Sequence, residues 1–269
     1  MIGEILLEAL RDATSISVFV VLLMTVIEII NQKTKGKLLT FANESHVGTV
    51  LISSVLGVIP GCLGGLATTS MYNRKLITFG ALMAMMVATC GDEAFIMLAT
   101  MPKTAIIIFC GLFILSLLVG FGLDLIGGKK KQAAIPEQNE ITEEQAKERW
   151  YHVIIHHFPE IFLWTFGVMA VTAIVQNYFD INSWISQNTA LMILLATLIG
   201  CIPESGPHII FITLYVSGVI PLPVLLASCI SQDGHAALPL IAVDKKSFLK
   251  VKFIKCALAL AVGFIALLF

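Results

Sequence analysis

The sequence predicts an all-α polytopic membrane protein made of two structural repeats, inverted relative to each other, with about five transmembrane segments each and broken or re-entrant helices. Three observations predict it. Of the 269 residues 57% are hydrophobic and 13% charged, where a soluble domain carries roughly 25% charged residues. The apolar residues fall in long runs separated by short basic or polar stretches. A shift of 143 residues lays 50–126 on 193–269 without a gap, and the interruptions of the apolar runs coincide.

The first transmembrane repeat is 1–127. Its opening, MIGEILLEALRDATS, carries Glu4, Glu8 and Asp12 in place of a basic region, so it reads as a short interfacial helix and not as a cleavable signal. A span follows at about 15–31, then a basic loop with Lys33, Lys35 and Lys37. Residues 47–73 are apolar but interrupted at 57–65 by GVIPGCLGG, and 76–101 are interrupted at Cys90, Gly91, Asp92 and Glu93. Residues 104–126 form a clean span of the length a bilayer requires.

A polar linker, 128–150, opens on Lys129, Lys130 and Lys131 and contains a capping-box pattern at Thr142–Gln145. The second repeat, 151–269, has a span at about 158–178 and a stretch at 185–218 interrupted over 200–208. A further stretch at 219–243 is interrupted over 231–235, and a final span covers 248–269. Lys245, Lys246, Lys250, Lys252 and Lys255 read as a basic loop on the cytoplasmic side of that last span.

Under the shift Gly57 matches Gly200, Pro60 matches Pro203, Tyr72 matches Tyr215, Gly91 matches Gly234 and Lys103 matches Lys246. Gly57, Pro60, Gly91, Gly200, Pro203 and Gly234 are the helix-break residues. Proline lacks an N–H and glycine accepts unusual backbone angles. Repeats with broken helices in matched positions are the signature of secondary transporters. A helix stopped inside a bilayer leaves N–H and C=O groups that must face protein or a water-filled cavity, where their partial charges can hold an ion.

Ionisable groups at membrane depth cost roughly 2.5–3.5 kcal/mol on insertion scales and mark function by default. The breaks carry them. The candidate binding residues are Cys90, Asp92 and Glu93 in the first half, and Glu204, His208, Gln232, Asp233 and His235 in the second. Carboxylate, imidazole and thiol together suit a divalent transition metal. Capping would explain Asp92 and Glu93 equally, as first-turn acids of the helix after Gly91. Glu28 reads as an interfacial end residue, with a proton-coupling carboxylate as the alternative, and the cluster His152, His156, His157 and Glu160 as a hydrated membrane edge, with ion entry or regulation as the alternative. The six cysteines have no CxxC spacing and suggest neither a disulfide framework nor a zinc ribbon.

Net charge is −1, giving no electrostatic reason to expect nucleic acid. Nothing resembles a P-loop. The partners expected are the lipid bilayer and a small inorganic ion, with room for a homo-oligomer, and no cofactor beyond the transported metal ion.

GVIPGCLGG (57–65), TSMYNRKLITFGALMAMMVATCGDEAFIMLA (69–99), IPESGPHIIFITLY (202–215) and ASCISQDGHAALPLI (227–241) resemble the ten-transmembrane heavy-metal exporter family of bacteria, whose members are labelled manganese transporter or arsenic-efflux-like protein. The resemblance covers both halves. It implies ten spans and metal or metalloid export from the bacterial inner membrane. Family members often carry a histidine-rich linker, which this chain lacks before His152.

The leading expectation is a proton-coupled exporter of a divalent, manganese-like ion bound at the repeat interface. An oxyanion or organo-metalloid exporter is the alternative. Against it, Arg11, Arg74 and Arg149 all lie outside the middle of the apolar segments. A membrane-embedded hydrolase is the reading from another class, but there is no HExxH motif, and no arginine or lysine was placed at membrane depth for a phosphatase. The chain is therefore expected not to be an enzyme.

Overall fold

The computed structural model describes residues 2–34, 46–61, 63–127, 158–178, 184–185, 187–203 and 206–268. The linker, its capping-box pattern, His152, His156, His157, Cys62 and Glu204 lie outside them, as do the side chains of Glu28, Glu160 and His235.

Among the described residues the fold is all-helical: α1 (Ile2–Thr34), α2 (His46–Val58), α3 (Leu63–Asn73), α4 (Phe79–Ala88), α5 (Glu93–Thr100) and α6 (Pro102–Gly127) precede the linker. After it come α7 (Phe158–Tyr178), α8 (Thr189–Ile199), α9 (Gly206–Val216), α10 (Leu222–Ser231), a 3-10 turn (Gly234–Ala237), α11 (Leu238–Val243) and α12 (Lys245–Ala266). The expected interfacial helix at the N-terminus is not separate. α1 is one helix of 33 residues, because nothing between Glu4 and Thr34 is glycine or proline and no breaker stops it.

Polar and apolar residues are distributed inside-out. α6 turns Ile106, Ile107, Ile114, Leu118 and Leu125 outward, and α12 turns out Leu249 and Phe253. In water such a surface would be an aggregation liability; in lipid it is the solvent-matched face. The interior instead holds Thr49, Ser54, Thr69, Ser116, Gln232, Asp233, Lys252 and Lys255.

α4 is the innermost helix, with Gly80 through Ala88 all buried, as a helix that is apolar on every side requires. It packs on α2 and α6 and reaches α10 and α12 across the middle of the molecule. α10 in turn packs on α8 and α12, while α1 packs on α7. Thr78 starts α4 by accepting from the Ala81 N–H, and Asp124 on α6 fixes that end by accepting from Thr78 Oγ1 at 2.8 Å and the Gly80 N–H at 3.1 Å.

Small residues bring α3 against the second half. A Cβ on Gly65 would fall 2.5 Å from the Ala236 Cβ, so only glycine permits that approach. Around it Thr69 Oγ1 donates to the Ala236 carbonyl at 2.9 Å, Asn73 Nδ2 donates to the Pro239 carbonyl at 3.0 Å, and the Tyr72 hydroxyl meets Ser247 Oγ at 2.9 Å.

Candidate functional site

α10 ends at Ser231, and Gln232 caps it with its N–H on the Ser228 carbonyl. Gly234, at φ +49°, then turns the chain into the 3-10 segment. Asp233 sits in that gap, 1% exposed. α12 starts at Lys245 because the Asp244 carboxylate accepts from the Ser247 N–H. That start places Lys252 and Lys255 two and three turns inside the helix. Three residues apart, they share one helical face.

The face meets Asp233. Lys252 Nζ lies 2.6 Å from Asp233 Oδ2 and Lys255 Nζ 2.5 Å from Oδ1. Lys252 is 7% exposed and Lys255 0%. This corrects the reading of both lysines as loop residues and of the apolar segments as free of buried lysine. A charge snorkelling at a helix end and a charge buried three turns in look alike in composition. Burial depends on which face of α12 meets α10. The signal that could have found the pair was their position inside the final span as bounded by hydropathy.

The two lysines also satisfy the ends of broken helices. Lys252 Nζ donates to the Gly200 carbonyl, just past the end of α8, at 2.9 Å. Lys255 Nζ donates to the carbonyls of Met86, near the end of α4, and of Gln232. Gln232 Nε2 donates to the Thr89 carbonyl at 2.9 Å. Carbonyls released where α4, α8 and α10 stop are thus capped by side chains of the second half, at the negative ends of three helices.

The other candidates surround this cluster. Glu93 opens α5, is 2% exposed, and has no hydrogen-bond partner for Oε1 among the described residues. It lies within electrostatic reach of Cys229, Asp92 and Lys255. Asp92 stands at the cap position of α5 in helical conformation and makes no side-chain cap bond, so capping does not explain it. Cys90 is buried in the same break, in one packed cluster with Cys229 of α10. His208, third residue of α9, is fully buried, and neither ring nitrogen has a well-formed hydrogen bond among the described residues, although the Ile202 backbone is close. Lys252, Asp233 and Lys255 are within its electrostatic reach.

The described residues thus join Asp233 to Lys252 and Lys255 and Gln232 to Thr89, and set His208 and Glu93 within electrostatic reach of Lys255. They do not gather three His, Cys, Asp or Glu side chains into a metal-binding group. Asp233 is already held by two cations, and the three side chains together carry +1.

An apolar exterior around a buried charged cluster is the architecture of a polytopic helical membrane protein. Residues 2–179 and 161–269 match the family described as "Putative, 10TM heavy-metal exporter", and the chain belongs to that family. It is accordingly a multi-pass membrane protein of the heavy-metal export class. No curated protein and no solved structure matches the chain.

Proposed function

We propose that the chain is a secondary exporter of a heavy-metal ion in a bacterial inner membrane, coupled to protons, with its transport site at Asp233. One observation carries this reading. A carboxylate buried where three helices stop is neutralised by two lysines that a cargo ion can replace. Entry of a cation at Asp233, assisted by Glu93 and His208, displaces Lys252 or Lys255. Return of the lysine, or protonation of the carboxylates, expels the ion, since metal ligands must be deprotonated.

The two halves form an inverted repeat in this reading. Ten spans divided equally give five per half, and an odd number reverses the second half across the membrane. Element boundaries support it. Adding 143 to the bounds of α3 and α4 gives those of α9 and α10. Local geometry supports it too. Lys75 and Gly218, equivalent under the shift, have φ of +61° and +73°, and Gly91 and Gly234 have +53° and +49°. A Cβ on Gly120 would meet Ala84 and Val50; one on Gly263 would meet their equivalents Ala227 and Ile193. The hydrogen bond between Gln232 and Thr89 joins equivalent positions and so lies at the proposed two-fold axis. Rocking of one half on the other about that axis would expose the site alternately.

Expression in a metal-sensitive bacterial host tests the site. The double variant Asp233→Asn/Lys252→Met removes one negative and one positive charge and keeps the cluster at +1. It should abolish metal tolerance while reaching the membrane in normal amount. Wild-type tolerance in that variant would remove Asp233 from the transport site.

The lysine pair favours a second reading, an oxyanion or organo-metalloid exporter, because a net positive buried site suits an anion. Tolerance gained towards arsenicals and not towards cations would select it.

A further inference from the structure

Cysteine in an apolar helix is ordinarily a small buried hydrophobe with no fixed neighbour. Four of the five described cysteines do not fit that role. Cys201, just past the end of α8, and Cys256, on α12, are 55 residues apart in sequence, yet their sulfurs lie 3.1 Å apart. Cys201 is further fixed by its thiol donating to the Thr197 carbonyl at 3.6 Å. Cys90, in the α4–α5 break, and Cys229, on α10, are both buried in one packed cluster.

Both pairs adjoin the lysine–aspartate cluster. Cys201 follows Gly200, whose carbonyl holds Lys252, and Cys256 follows Lys255. Cys229 stands four residues before Asp233. Cys201 and Cys256 are partly exposed, whereas Cys90 and Cys229 are buried. The first pair is the accessible one and the second is deeper.

We propose that Cys201 and Cys256 form a two-thiolate binding site for a soft, thiophilic cation of the Cd²⁺, Hg²⁺ or Cu⁺ class. This rests on the reading of the chain as a heavy-metal exporter and names the chemical class of its cargo. Thiolates select soft ions over hard ones such as manganese or magnesium. Two thiolates sharing one ion stand roughly 3.7 Å apart at the zinc–sulfur length and a tetrahedral angle, and farther apart for larger or linearly bound soft ions. The present 3.1 Å places both sulfurs where rotation of the side chains can admit one ion between them. Binding is a metal-for-proton exchange. Two S–H bonds break, two metal–sulfur bonds form, two protons leave, and no oxidant is consumed.

Charge explains how such a cargo can sit beside two lysines. A bare dication next to a cluster of net charge +1 is repelled. A bis-thiolate complex is neutral with a divalent ion and carries −1 with a monovalent one, so the thiols deliver the metal in a form the lysines tolerate or attract. Exchange with Cys90 and Cys229 would then pass the ion across Asp233.

The test uses the full-length protein, reduced and purified in detergent, with Cd²⁺ as the probe. Thiolate-to-cadmium absorption in the ultraviolet and equilibrium dialysis are the readouts. The wild type should bind Cd²⁺, and a hundredfold excess of Mn²⁺ should not displace it. Cys201→Ser/Cys256→Ser should lose the absorption of that pair and weaken binding about tenfold or more. Cys110→Ser, on the exposed side of α6, should match the wild type. The single serine variants, each checked for a monodisperse elution peak, repeat the measurement if the double variant misfolds.

Full absorption and affinity in Cys201→Ser/Cys256→Ser, or ready displacement by Mn²⁺, would overturn the proposal. If Cd²⁺ binding is absent while Asp233→Asn/Lys252→Met still loses tolerance, this inference alone fails. If the dithiol binds Cd²⁺ while that variant exports normally, the assignment of Asp233 fails and the dithiol stands.

Discussion

Between α4 and α5 the chain passes Thr89, Cys90, Gly91 and Asp92; between α10 and the 3-10 turn that Gly234 opens it passes Gln232 and Asp233. The backbones nearly coincide. Thr89 has φ −76° and ψ 130°, Gln232 has φ −73° and ψ 149°, and both glycines are left-handed. The chemistry does not coincide. Cys90 occupies the place of Asp233, and Glu93 that of Ala236. α6 carries Phe109 and Leu112 at the positions where α12 carries Lys252 and Lys255. One break holds an ion pair; the other contributes the Met86 and Thr89 carbonyls to the lysine and glutamine of its counterpart. The two breaks thus share local backbone angles and differ in chemistry, and the cost of burying lysine is met once, with carbonyls from both halves satisfying its protons.

The largest expected effect comes from removing that asymmetry. Lys255→Met leaves Asp233 with one cation and strands the Met86 and Gln232 carbonyls. It should destabilise the protein by about 3–5 kcal/mol, whereas Leu112→Met at the equivalent apolar site should cost less than about 1.5 kcal/mol. Thermal unfolding in detergent measures both. Equal melting temperatures would mean that Lys255 is not held as described.

Smaller effects should be equal in the two halves where geometry is shared. A Cβ on Gly57 would fall 2.6 Å from the Met85 carbonyl oxygen and 2.8 Å from the Ala88 Cβ, and one on Gly200 would collide with Ser231. Gly57→Ala and Gly200→Ala should each cost roughly 1–3 kcal/mol by overpacking. A large loss at one and none at the other would break the comparison. Among the described residues nothing lies within 4 Å of a Cβ on Gly91, so Gly91→Ala should cost only the left-handed backbone, about 1–2 kcal/mol.

The smallest effect is at the start of α12, where the first half offers Met101 in place of Asp244. The Ser247 hydroxyl and N–H donate to the Asp244 carboxylate and hold its pKa below the usual value. A depressed folded-state pKa gives stability that is present above the unfolded value and lost as pH falls through the folded one. Asp244→Ala should cost about 1 kcal/mol near neutrality. The difference from wild type should fade on acidification, as unfolding curves taken across the acid range would record. A gap that persists at low pH would mean the carboxylate is not the cap.

Much of the architecture could be read from residue order. Gly57 with Pro60, Gly91, Gly200 with Pro203, and Gly234 stand where helices stop: the prolines withdraw a donor and Gly91 and Gly234 take left-handed angles, whereas Gly57 and Gly200 are glycine for close packing. Asp92, Glu93, Gln232 and Asp233 were legible as candidates for the same reason: polar groups beside a break at membrane depth need partners. α1 was read as two pieces because its acidic start resembles an interface, yet charge on an exposed helical face does not end a helix.

Amino-acid order by itself determined the solvent, the helices and the points at which they stop, since composition and local backbone chemistry act over a few residues. Only tertiary structure decided that Asp233 is held by Lys252 and Lys255, that Gln232 reaches Thr89, and that the sulfurs of Cys201 and Cys256 meet. Those contacts join residues from 19 to 143 positions apart. They exist because α10 presents its end to one face of α12 and to the end of α4, an outcome of packing that no local preference specifies.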